Sequence, residues 1–166
     1  GSDAYNLFLA NVVLDMTQKS GQKCTAVRRV LVPADRLGDV QADLVAELAR
    51  IQVGDPNDKA TRMGPLASQS QLDEVRAGID RLASASTTAC GGSRPIAPRG
   101  YFVAPTLLVA RDAHDDAFHA EEVFGPVASL LPYTGDALEA VSIVRRGGGG
   151  LVSSAYSNDP AWVERF

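Results

Sequence analysis

Cysteine is scarce in this 166-residue chain, which has only Cys24 and Cys90. Thiols so far apart form no Cys-x-x-Cys pair and no metal-ligand spacing. That argues against a zinc site and a disulfide scaffold, and without a resolving cysteine near Cys24 it argues against a thiol-redox protein. A cytoplasmic, reduced protein is expected. Histidine is equally scarce. His114 and His119 have no cysteine or carboxylate motif around them, so surface or capping roles are expected and no metal is assigned. There is no excess of positive charge: the net charge is −4 and the basic residues are scattered, which argues against a nucleic-acid platform. No apolar run approaches membrane-spanning length, and no signal-peptide pattern is present. No Gly-x-Gly-x-x-Gly follows a strand. The run Gly147–Gly150 reads as a helix terminator, not a dinucleotide loop.

What is present suits one domain, since 45% of the residues are apolar and can form a core. Gly1-Ser2 resembles an expression scar, so the domain is read from Asp3. Tyr5, Phe8, Leu9, Val12, Val13 and Met16 recur at steps of three and four and predict a helix over about 3–19. Val27–Val32 is β-rich and stopped by Pro33, which predicts a strand. Asp35 is the expected cap of a helix whose buried face is Leu37, Val40, Leu44, Leu48 and Ile51. Turn chemistry at Gly54-Asp55-Pro56-Asn57 and Gly64-Pro65 marks a loop.

Leu72, Val75, Ile79 and Leu82 predict a third helix. Thr87–Cys90 predicts a short strand in which Cys90 is a small buried hydrophobe. Tyr101–Val109 is strand-like but holds Pro105, so an edge or broken strand is expected. Val127–Tyr133 predicts a strand. Asp136 and Glu139 resemble a capping box opening a helix through Leu138, Val141 and Val144, with Arg145-Arg146 at its negative end. Leu151–Ser157 predicts a strand, and Asn158-Asp159-Pro160 starts a last helix. Helices alternate with strands throughout. The expected fold class is therefore α/β, an open, largely parallel sheet with flanking helices.

Two stretches stand out for chemistry. In Gly21–Val32 a cysteine lies where a helix gives way to a strand, with Lys23, Arg28 and Arg29 close by. A nearby cation would favour the nucleophilic thiolate, although a lone cysteine is more often a packing residue. In Glu121-Glu122-Val123-Phe124-Gly125-Pro126 two carboxylates precede an aromatic ring and a Gly-Pro turn. A strand follows at once, and in open α/β sheets ligands gather at strand ends and the neighbouring loops.

Gly21-Gln22-x-Cys24-x-Ala26-x-x-Arg29-x-x-Val32 resembles the nucleophile motif of the aldehyde dehydrogenase superfamily. Glu121-Glu122-x-Phe124-Gly125-Pro126-Val127 resembles that family's second block. Gly54-Asp55-Pro56, Gly64-Pro65-Leu66 and Gly100-Tyr101-Phe102…Pro105-Thr106 lie between them in the family's order. Gly21–Arg29, with Arg146–Val152, is most similar to the dehydrogenase half of bacterial phenylacetate-degradation ring-opening bifunctional proteins.

The resemblance implies NAD- or NADP-dependent oxidation of an aldehyde, a semialdehyde in aromatic catabolism that could be CoA-linked. Cys24 would be the nucleophile, passing through a thiohemiacetal and a thioester. Glu122 would bind the nicotinamide ribose, and Phe124 would pack near the nicotinamide. The resemblance also implies what is missing: the coenzyme-binding domain, the Glu-Leu-Gly-Gly stretch with the general base, the Pro-Trp-Asn stretch, and the C-terminal strand that pairs between subunits of a homo-oligomer. Residues 3–166 would then be a catalytic-domain fragment, inactive alone. Two alternatives stay open, a CoA-acylating dehydrogenase and a non-catalytic α/β assembly module.

Overall fold

The computed structural model describes residues 2–166. Its centre is a four-stranded sheet of β1 (Arg29–Pro33), β2 (Ser86–Cys90), β3 (Thr106–Ala110) and β4 (Val127–Tyr133), in the order β1-β4-β3-β2. Strand β4 pairs parallel with β1, Arg29 opposite Ser129, and parallel with β3, Thr106 opposite Val127. Strand β2 runs antiparallel to β3, with a register shift between Thr88 and Cys90. The sheet is thus largely parallel, as expected.

Burial on both faces explains why β3 and β4 read as continuous apolar runs. Alternate side chains of β4 enter two separate cores. Val127, Leu131 and Tyr133 join one, and Ala128 and Leu130 the other. Helices α1 (Asp3–Thr17) and α2 (Leu37–Leu48) cover the second core through Val12, Met16, Val40, Leu44 and Leu48. Helices α3 (Gln69–Ala83), α4 (Ala117–Ala120) and α5 (Ala137–Arg145) cover the first through Leu72, Val75, Ile79, Phe118 and Ile143. Trp162 of α6 (Pro160–Arg165) packs against the same core. Each fully buried leucine in these layers contributes about 1.5–3 kcal/mol.

Several expectations need correction. Helix α1 stops at Thr17 rather than Lys19, because Lys19 and Ser20 take left-handed backbone angles (φ 53° and 55°). Helix α2 ends at Leu48, short of Ile51, and Asp35 does not cap it; a tight turn over Ala34–Arg36 leads in without a side-chain cap. Of the two readings at Pro105 the edge strand fails and the broken one holds, since the strand starts only at Thr106. Pro105 lies just before β3, where its missing N–H interrupts no ladder, and β3 runs between β4 and β2. The Asp136 carboxylate caps α5 at Leu138 and Glu139, but Glu139 turns away from the Asp136 N–H to the Thr134 N–H and hydroxyl.

Leu151–Ser157 forms no strand. It lies beside the glycine run with Leu151 and Val152 exposed, and no strand of the sheet offers it a ladder. Its far end is held at Tyr156, whose hydroxyl accepts from Asn11 (2.9 Å) and whose ring meets Phe8 edge-on. Ser2, read as part of a scar, accepts the Tyr5 N–H (3.3 Å) at the start of α1.

Candidate active site

The cysteine loop begins where α1 breaks. Lys19, Ser20 and Gly21 are successive left-handed residues, and for the two non-glycines this costs about 1 kcal/mol or more each. Neighbouring contacts hold the loop in place. The Ser20 hydroxyl donates to the Gly64 carbonyl (2.8 Å). The Gln22 side-chain carbonyl accepts from the Ala67 N–H (2.9 Å), and its amide donates to Gln71. Gly21 has no room for a side chain, because an added Cβ would overlap the carbonyl of Gly125. The chain then turns over 23–26, closed by the Ala26 N–H on the Lys23 carbonyl (3.0 Å), and this turn leaves Cys24 exposed. Among the described residues the Cys24 N–H has no backbone partner.

The three cations near Cys24 in sequence are all engaged elsewhere. Lys23 pairs with Asp15 (2.7 Å). Arg29 donates to the last carbonyls of α5, Ile143 (3.0 Å) and Val144 (3.2 Å), and to Nδ1 of His119 (2.9 Å). Arg28 donates to the carbonyls of Gly21 (2.7 Å) and Gly125 (3.0 Å). Burial lowers the Arg28 pKa, and the Glu122 carboxylate opposes that shift.

The second block leaves α4 and splits its two carboxylates. Glu121 is half-buried and bonds the Arg81 guanidinium (3.0 Å). Glu122 is exposed and has no ion-pair partner among the described residues. Val123 is buried against Gly78, where an added Cβ would crowd its methyls. Phe124 is exposed, with the Arg28 guanidinium carbon 5.6 Å from its ring centre. The Pro126 carbonyl then accepts the Thr106 N–H (2.8 Å), tying the block to the start of β3.

Cys24, Arg28, Arg29 and Glu122 line one cavity of about 990 Å³, bounded also by Gly149–Asn158. Cys24 and Glu122 are thus both among the residues that bound this cavity, whereas Phe124 is not. Cys90 is half-buried, and burial pushes its thiol pKa up. His119, expected at the surface or as a cap, is instead half-buried, its Nε2 donating to the carbonyl of Ala113 in the loop before α4 (2.8 Å). No cluster of metal ligands occurs among the described residues. Reading the sequence missed the Arg28 link between the two blocks. Its partners are 7 and 97 residues away, and no local spacing signals the longer contact.

A doubly covered, largely parallel sheet with an exposed thiol and an exposed carboxylate on one cavity defines the class of domain. A profile of the aldehyde dehydrogenase family matches residues 3–166, and the chain belongs to that family. It is 40% identical to the 3,4-dehydroadipyl-CoA semialdehyde dehydrogenase of Aromatoleum evansii, over 98% of this chain and 33% of that protein. It is 39% identical to an NADP(+) succinate-semialdehyde dehydrogenase of Mycobacterium avium, over 90% of this chain and 31% of that protein.

Among solved structures, apo betaine aldehyde dehydrogenase from Staphylococcus aureus superposes with a TM-score of 0.87 at 27% identity, covering 99% of this chain and 33% of that one. A Thermus 1-pyrroline-5-carboxylate dehydrogenase with bound NAD gives 0.87 at 26% identity, over 98% and 31%. The chain spans about a third of the length of these relatives.

Proposed function

We propose that this chain is the cysteine-bearing domain of a longer cytoplasmic, homo-oligomeric enzyme that oxidises a semialdehyde with NAD or NADP. The observation that carries this reading is that exposed Cys24 and exposed Glu122, which has no ion-pair partner among the described residues, bound the same cavity. The identity to the Aromatoleum enzyme favours a CoA-linked semialdehyde from aromatic breakdown, of the phenylacetate type.

The residues present fit a nicotinamide coenzyme. An exposed, unpaired carboxylate can accept both hydroxyls of a ribose, which is the role of Glu122. Phe124 has an exposed ring to pack near the nicotinamide. Bound there, the nicotinamide supplies a hydride acceptor. Cys24 does the covalent work. Its thiolate sulfur bonds to the carbonyl carbon, and the carbonyl oxygen becomes an oxyanion. The free Cys24 N–H is a ready donor to that oxyanion. After oxidation Cys24 carries the acyl group as a thioester. Water releases the acid in the hydrolytic route, and a CoA thiol takes the acyl group in the acylating alternative.

The general base and most of the coenzyme contacts belong to the rest of the enzyme, so the chain alone is inactive. The test compares this chain with the full-length enzyme in an assay of aldehyde-dependent nicotinamide reduction. Turnover is expected only from the full-length protein, and Cys24→Ala should lower it by about three orders of magnitude or more. Full activity in that variant would refute Cys24 as nucleophile.

A further inference from the structure

Arg28 is the side chain through which the two blocks of the site meet. Its two terminal nitrogens bind one carbonyl from each block, Gly21 and Gly125. At that point the backbones of Gly21 and Gly125 are in contact, with no space for a Cβ between them. The same guanidinium lies against the Phe124 ring, 5.6 Å from its centre, a cation–π distance. It also lines the cavity shared by Cys24 and Glu122. Gly21 is three residues before Cys24, and Gly125 follows Phe124 directly. Moving Arg28 would therefore shift the nucleophile turn relative to the Glu122–Phe124 segment.

We propose that Arg28 is a positioning residue, holding Glu122 and Phe124 in register with Cys24 so that coenzyme and nucleophile meet in one geometry. The inference rests on the reading of Glu122 and Phe124 as coenzyme contacts. The chemistry calls for arginine. A planar, pre-organised fork holds two carbonyls in fixed directions and presents a flat face to an aromatic ring, whereas a lysine ammonium on its flexible stem fixes neither the direction to both carbonyls nor a flat stacking face. Register matters because a displacement of about 1 Å in a reacting geometry can cost about 100-fold in rate. Arg28 touches neither the sulfur nor the carboxylate directly, so its effect falls on the relation between the two blocks.

The test uses the full-length enzyme. For Arg28→Lys, the coenzyme Kd by titration calorimetry and the coenzyme KM are expected to rise about 10-fold or more. The rate of Cys24 alkylation by iodoacetamide is expected to stay within about twofold, since Arg28 directs its hydrogen bonds at Gly21 and Gly125 and makes none to the thiol. Coenzyme affinity within twofold of the unsubstituted enzyme overturns the proposal. So does a fall of affinity and Tm together with a change of more than about twofold in the Cys24 alkylation rate, because that pattern belongs to a residue that only holds the fold. Should the lysine variant not fold, Arg28→Met fills the site without a buried charge, and the same criteria apply to it. Glu122→Gln and Phe124→Ala are measured alongside. If both leave coenzyme affinity unchanged, the coenzyme reading itself fails, and that result is distinct from a failure confined to Arg28.

Discussion

Gly21 shows how much a single position can decide. Its φ of +70° lies in the left-handed region, and an added Cβ would run into the Gly125 carbonyl. Gly21→Ala combines a left-handed alanine, about 1–2 kcal/mol, with an overlap against backbone that cannot rotate away, about 1–3 kcal/mol more. A loss of about 2–5 kcal/mol in urea denaturation is expected, with the slope unchanged. A loss below about 1 kcal/mol would mean that the two loops are free to separate. Cys24 and the Glu121–Glu122 pair stood out in the sequence because few residue types do their chemistry. The destinations of Lys23, Arg28 and Arg29 did not, because long side chains reach partners that adjacency does not specify. The split of the carboxylates was hidden for the same reason, since only the fold brings Arg81 to Glu121.

At the scale of elements, Arg29 and His119 tie β1, α4 and the end of α5 together. Arg29 donates to Nδ1 of His119, so that nitrogen carries a lone pair and the proton sits on Nε2, facing the Ala113 carbonyl. Burial lowers the His119 pKa; the Ala113 bond raises it, Arg29 and Arg146 lower it, and Asp116 raises it. A histidine with a depressed pKa stabilises the fold fully above its unfolded value of about 6.5, and that contribution is lost as pH falls through the lower folded value. Protonation puts a cation against Arg29 and removes its acceptor. The Tm should therefore fall as pH drops from 7.5 toward 5, and His119→Gln should flatten that part of the profile. An unchanged slope in the variant would assign the effect to another group.

The elements themselves were mostly legible. The helix stripes of α2 and α3 and the whole of β4 follow from apolar spacing. One whole element failed, the strand expected over Leu151–Ser157, which no strand of the sheet offers a ladder. The other failures were at ends and caps, where one hydrogen bond decides, as where Glu139 took the donors of Thr134 rather than that of Asp136.

For the whole molecule, stability is unevenly spread. Strands β3 and β4 are buried on both faces, whereas Leu151–Ser157 has no ladder partner and is largely exposed. Hydrogen-exchange mass spectrometry should find the amides of Leu107–Val109 and Ala128–Leu131 protected near the global limit, with those of Leu151–Ala155 exchanging early. Strong protection of Leu151–Ala155 would mean that this segment has joined an edge of the sheet.

By itself the sequence determined the α/β class, the helix faces, β4, the thiol and the carboxylate pair. Those follow from local periodicity and from the few residue types able to act as nucleophile or base. The tertiary structure alone decided that Gly21 presses on Gly125, that Arg28 spans both, and that, among the described residues, Glu121 pairs with Arg81 while Glu122 has no ion-pair partner. Each of these depends on which surfaces meet when two segments about a hundred residues apart pack side by side, and no short-range pattern encodes that meeting.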